Sequence, residues 1–186
     1  WISYKGTNDG DIASGTVTIR SPEINQEWTI PITANTVHRP TVAIEMVLDK
    51  SNSMNFPSGM ASPLDTRLAL LKFSATPLVD ITQEENAIGV AAFDHDAYNV
   101  MNVTPVGPQV FGAGRVAARA AILNHLPNPQ GWTSIGDGVE LAHYQLLPIT
   151  GYDVKAMVVF TDGHENRPKF LADVMGLINE RVYAIG

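Results

Sequence analysis

The sequence predicts an α/β fold: a doubly wound, mostly parallel sheet with one antiparallel edge strand, preceded by a short β-rich segment. Three observations carry this. Residues 42–48, 87–93 and 156–161 are nearly continuous apolar runs, as expected of strands buried on both faces. Stretches with helical spacing lie between them, and parallel strands require such crossovers. With 45% hydrophobic and 17% charged residues, the 186-residue chain has a globular composition.

Residues 1–40 differ from the rest. Residues 16–20 and 28–33 alternate in the manner of β-strands, the turn-like stretch 21–27 joins them, and no helical period is present. Two or three strands make no stable sheet alone. This segment is expected to belong to a β-sandwich or to cover an edge of the main domain, with the boundary at Arg39-Pro40.

The main domain is placed at 41–186. Its first strand, 42–48, runs into Asp49. A polar loop follows, and Leu64, Leu68, Leu71, Ala75 and Leu78 then mark one helix face. Strands 87–93 and 97–103 are joined only by Asp94-His95-Asp96, a turn so short that they must be antiparallel. A helix over 115–126 is expected to bury Val116, Ala120 and Leu123, with Pro127 and Pro129 stopping it. Ser134 opens the next helix with Asp137 as a capping partner, and Ile135, Val139, Ala142 and Leu146 form its buried stripe. Strand 156–161 runs into Asp162, a helix is expected over 169–179, and 182–185 form the last strand. An apolar edge strand is an aggregation hazard, so the domain is expected to be completed by a further helix and strand beyond Gly186.

Composition excludes several function classes. Twelve Lys+Arg against 19 Asp+Glu give a net charge of -7, and no basic run occurs. That argues against nucleic acid and anionic membrane surfaces as partners. No apolar stretch approaches the ~18–20 residues that span a bilayer, so no direct membrane insertion is expected. The absence of Cys removes disulfides, thiolate metal sites and Cys nucleophiles. The chain opens at Trp1 without a signal-peptide pattern and reads as a piece of something longer. Its β-rich start leans toward an exported or surface role.

Ligands of open α/β sheets sit outside the carboxyl ends of the strands. Three segments converge there: Asp49-Lys50-Ser51-Asn52-Ser53, Gly131-Trp132-Thr133-Ser134 and Thr161-Asp162-Gly163. They offer two carboxylates and several hydroxyls. Carboxylates at the ends of adjacent buried strands repel unless a cation lies between them. This hard-oxygen set suits Mg²⁺, with Mn²⁺ or Ca²⁺ also acceptable.

Asp49-Lys50-Ser51-Asn52-Ser53-Met54 matches the D-x-S-x-S pattern of von Willebrand factor type A domains. Residues 131–138 resemble the threonine loop of that family, and Phe160-Thr161-Asp162-Gly163 its second acidic loop, in the same order along about 41–186. The resemblance implies a Rossmann-like fold and a metal-ion-dependent adhesion site. Ser51 and Ser53 would then be direct ligands. Thr133, Asp49 and Asp162 would bind directly or through water. The position left open would take an Asp or Glu of a partner protein, making the domain a non-catalytic, metal-dependent protein-binding module.

Around this rim, Met54, Phe56, Met60 and Trp132 are candidates for an apolar binding face or for packing under the loops. His164 and Glu165 are candidate rim contacts in a loop that also reads as simply solvated. Asp94-His95-Asp96 reads as a turn rather than a metal triplet, and His38, His125 and His143 lack ligand spacing. The competing function is a Mg²⁺-dependent hydrolase resembling haloacid-dehalogenase phosphatases. Such enzymes need an acid two residues after the nucleophilic Asp, where this chain has Ser51.

Overall fold

Alternation of small, β-branched and aromatic residues makes β1 (Ile12–Ser21) and β2 (Gln26–Asn35) an antiparallel hairpin. A computed structural model describes residues 6–125 and 129–186 of the chain, which divides into two units, 1–40 and 41–186. In the first unit the ladder pairs Val17 with Ile30 and Ile19 with Trp28 on one face. The other face carries Thr18, Thr29 and the Arg20–Glu27 ion pair at 2.6 Å. Both strands outrun the expected segments because pairing continues through Gly15–Ile32 and Ala13–Ala34.

The second unit is a five-stranded sheet in the order β5-β4-β3-β6-β7. It comprises β3 (Val42–Asp49), β4 (Ala87–Phe93), β5 (Ala97–Pro105), β6 (Val154–Phe160) and β7 (Arg181–Ile185). Only the β4–β5 pair is antiparallel. The expected class and the antiparallel edge strand are therefore found. Each face of the sheet builds one core layer. Met46, Leu48, Ile88 and Val90 pack with helices α1 (Arg67–Ile81) and α2 (Ala113–Leu123). Ala43, Val47, Phe93 and Val159 pack with α3 (Ile135–Leu146) through Val139, Ala142 and Leu146.

Three expectations about helices need correction. Helix α2 ends at Leu123, Asn124 caps it, and Pro127 lies outside the described residues. Its buried face is Gly114, Arg115, Ala118 and Ile122, while Val116 and Leu123 are exposed and Ala120 lies off the buried face. The reason is Arg115. Its guanidinium is fully buried and donates to the Val79 and Asp80 carbonyls and, at 2.6 Å, to that of Thr82. These are carbonyls at the C-terminus of α1, which carry no intrahelical partner and attract a cation. Second, the helix expected over 169–179 shrinks to α4 (Leu171–Val174), and a glycine, Gly176, follows close behind it. Third, Leu64 precedes α1, whose cap is Thr66 accepting the Ala69 N–H at 3.2 Å.

Candidate metal centre

Chain order reverses between β4 and β6, which flank β3 on opposite sides. The crevice outside the carboxyl ends of β3 and β6 is therefore a topological switch point. Asp49 is the last residue of β3, and Asp162 follows β6 by two residues. Behind Asp49, residues 51–56 form a tight loop with a short 3₁₀ turn at Asn52–Asn55. That loop is fastened to the threonine-bearing one. Asn52 N–H donates to the Gly131 carbonyl at 3.2 Å, and Gln130 N–H to that of Lys50 at 3.0 Å. Gly131 adopts φ +84°, and a Cβ there would lie 2.3 Å from His95 Nδ1. Only glycine meets both conditions.

Four of the expected ligands form one bonded chain. The Ser51 amide donates to Asp49 Oδ1 at 2.7 Å, Ser51 Oγ lies 3.0 Å from Ser53 Oγ, and Ser53 Oγ donates to Asp162 Oδ1 at 2.8 Å. Thr133 lines a cleft of about 400 Å³ together with Ser51, Ser53, Phe56, Trp132 and Asn166. Asn166 holds the Thr133 backbone by two hydrogen bonds, 2.8 and 3.1 Å. Burial pushes the Asp49 carboxyl above its ordinary range, and the negative charge of Asp162 adds to the rise, against hydrogen bonds from Ser51 and Thr161. A cation between the two carboxylates would reverse that cost. Among the described residues no group of three or more His, Asp or Glu is placed to hold a metal ion. The donor set that fits one here is instead two carboxylates supplemented by hydroxyls, a set suited to a hard cation.

The rim expectation divides. Phe56, Met60 and Trp132 are exposed, and His164 is on the surface. Met54 is buried and belongs to the core under the loop, so it is removed from the rim. Glu165 is turned inward. Its Oε1 accepts the Gly136 N–H at 3.0 Å and the Leu171 N–H at 2.7 Å, fastening α3 to α4. Two amide donors at helix starts satisfy a carboxylate better than a solvated loop does. Ser134 also departs from its expected role. Its Oγ lies 2.6 Å from Asp137 Oδ2 and 2.9 Å from the Lys169 carbonyl, and it caps no backbone N–H of α3. Gly136 and Gly138 permit the close packing expected of them, since a Cβ would meet Phe170 and Phe93 respectively at under 3 Å.

Several residues of the site are absent from the sequence-based list. Thr161 Oγ1 donates to Asp49 Oδ2 at 2.7 Å, and the Arg67 guanidinium pairs with Asp162 Oδ2. Lys50, beside Asp49, points away to Asp94 Oδ2 at 3.1 Å and over the Tyr98 ring at 4.1 Å. Asp94 thus closes the predicted turn and anchors Lys50. Beneath the site, His125 Nε2 lies 3.3 Å from the Asp49 carbonyl, and burial lowers its pKa to about 4, keeping the ring neutral. One signal for Arg67 was available: a cation in the first turn of a helix opposes the macrodipole and so has its partner elsewhere.

Among the described residues no helix is long and apolar enough to cross a membrane. No family model and no curated protein matches the chain by sequence. Solved structures do match by shape. The von Willebrand factor domain of the type V pili tip protein Mfa5 from Porphyromonas gingivalis is 19% identical, with a TM-score of 0.52, covering 68% of this chain and 39% of that one. BatB from Bacteroides thetaiotaomicron is 25% identical with a TM-score of 0.61, covering 78% of this chain and 66% of that one. A von Willebrand factor type A protein from Catenulispora acidiphila is 16% identical with a TM-score of 0.62, covering 98% of this chain and 41% of that one. The chain thus spans well under half the length of the first and third of these. This chain thus shares the fold of von Willebrand factor type A domains.

Proposed function

We propose that the domain is a metal-dependent protein-binding module, in which Asp49, Ser51, Ser53, Thr133 and Asp162 hold one divalent cation. Mg²⁺ is the favoured ion, with Mn²⁺ or Ca²⁺ able to replace it. When bound, the ion supplies an open coordination position to a carboxylate of a partner protein. The observation that carries this reading is the bonded chain from Asp49 through Ser51 and Ser53 to Asp162 at the switch point of the sheet. Ser53 and Asp162, which bond directly, lie 109 positions apart in the chain. Each hydroxyl can turn its proton outward and its lone pair inward. Exposed Trp132 and Phe56 beside the cleft supply apolar area for a partner. The likeness to a pilus tip protein supports an adhesion or interaction role. A hydrolase reading gains nothing from the site, because the acid/base position holds Ser51.

Calorimetric titration of Mg²⁺, Mn²⁺ and Ca²⁺ into chelator-treated protein tests this, beside an Asp49→Ala/Asp162→Ala double variant. Saturable one-site binding that the double variant loses is the expected result. Failure of all three ions to bind the folded wild-type chain would reduce the domain to a metal-independent scaffold.

A further inference from the structure

The two carboxylates of the site are not equivalent. Among the described residues, Asp49 is held by neutral donors alone, the Ser51 amide and the Thr161 hydroxyl. Asp162 is held by one neutral donor, Ser53 Oγ, and by one cation, the Arg67 guanidinium. Arg67 reaches it from a fixed base. It is the first residue of α1, its N–H donates to the Phe56 carbonyl at 3.0 Å, and the neighbouring Thr66 bridges to Pro57. Its guanidinium also lies 5.7 Å from the centre of the Phe56 ring. The loop that carries Ser51 and Ser53 and the helix that carries Arg67 are thus stitched together, and both close on the same carboxylate.

Resting on the metal-dependent reading above, we infer that Arg67 is a built-in counter-ion that regulates this site, weakening its hold on a cation alone and leaving charge balance to the partner's carboxylate. Asp49 and Asp162 bring two negative charges and Arg67 one positive charge, so the protein offers a divalent ion a net charge of about −1. One positive charge then remains at the open position, and an incoming carboxylate cancels it. Without Arg67 the protein alone would balance the ion, and the demand for an acidic partner would fall. Arg67 is a positioning and charge-setting residue; nothing requires it to touch the ion.

The test titrates Mn²⁺ and Mg²⁺ into chelator-treated wild type, Arg67→Gln and Arg67→Lys, with thermal melts of each protein with and without metal. Arg67→Gln is expected to bind Mn²⁺ about tenfold more tightly, the size of one partly screened Coulomb interaction. Its metal-free melting temperature should fall, because Asp162 loses its partner. Arg67→Lys, which keeps the charge, should stay within about threefold of wild type. A purely structural Arg67 would lower stability and metal affinity together. Wild type that binds metal beside a folded Arg67→Gln that binds equally or more weakly overturns the role of Arg67 and leaves the metal reading standing. So does Arg67→Lys that behaves like Arg67→Gln. Absence of binding in all three folded proteins overturns the metal reading and this inference with it.

Discussion

The middle of β3 and its carboxyl end each bury a carboxylate, four residues apart on the same face of the strand. Asp49, at the end, is surrounded by donors from two loops. Glu45, in the middle, is completely buried, and neither of its carboxylate oxygens has a hydrogen-bond partner among the described residues. Burial alone pushes its pKa up to about 9, so the folded chain carries it protonated. Its room comes from Gly89 on β4, where a Cβ would lie 2.0 Å from Glu45 Oε2. Inside a sheet the backbone groups are already paired with one another, and no donor is left for a side chain. At the strand end the chain leaves the ladder and its amides and hydroxyls become free to converge. Buried charge is thus tolerated at the rim as a site and in the middle only as a neutral acid.

The largest effect that would sharpen this contrast is the pH dependence due to Glu45. Its folded pKa lies above the ordinary glutamate value of 4.5. Its contribution to stability is therefore complete below about pH 4.5 and is lost as pH rises toward about 9, at roughly 1.4 kcal/mol per unit. Glu45→Leu removes that loss. Urea unfolding should find it more stable than wild type by about 4 kcal/mol at pH 8, with the gain shrinking toward pH 5. A gain independent of pH would show that Glu45 has a partner when ionised.

Next in size is Gly89→Ala, which puts a methyl group where the Glu45 carboxyl lies. It should cost about 2 kcal/mol of unfolding free energy, as overpacked cores do. A neutral result would mean that the carboxyl moves easily aside and that its isolation is not enforced. The smallest effect concerns the rim. Thr161→Val keeps the shape and deletes one donor to Asp49, which should cost about 1 kcal/mol. Mn²⁺ affinity, read by calorimetry, should fall about tenfold, as for other residues that orient a ligand. Unchanged affinity would make Asp49 as independent of its surroundings as Glu45 is.

The strands were readable because burial on both faces leaves an unbroken apolar run, which needs no knowledge of neighbours. Glu45 was hidden by the same property: one acid inside such a run changes neither its period nor its length. Helix α3 was readable because Val139, Ala142 and Leu146 repeat locally and all three are buried. The buried face of α2 was misplaced because Arg115 is counted as polar, whereas the end of α1 draws it inward. The length of α4 was overestimated because an apolar pattern over 169–179 does not by itself register the helix-breaking effect of Gly176.

The amino-acid sequence by itself determined the class of the fold, the antiparallel edge strand and which three segments reach the rim. These follow from periodicity and turn length, which act between neighbours in the chain. Tertiary structure alone decided which oxygens meet. It turned Glu165 to the starts of α3 and α4, gave Asp49 to Thr161, and paired Asp162 with Arg67, 95 residues away. A hydrogen bond depends on a few tenths of an ångström between groups whose separation along the chain carries no trace of it, and only packing sets that distance.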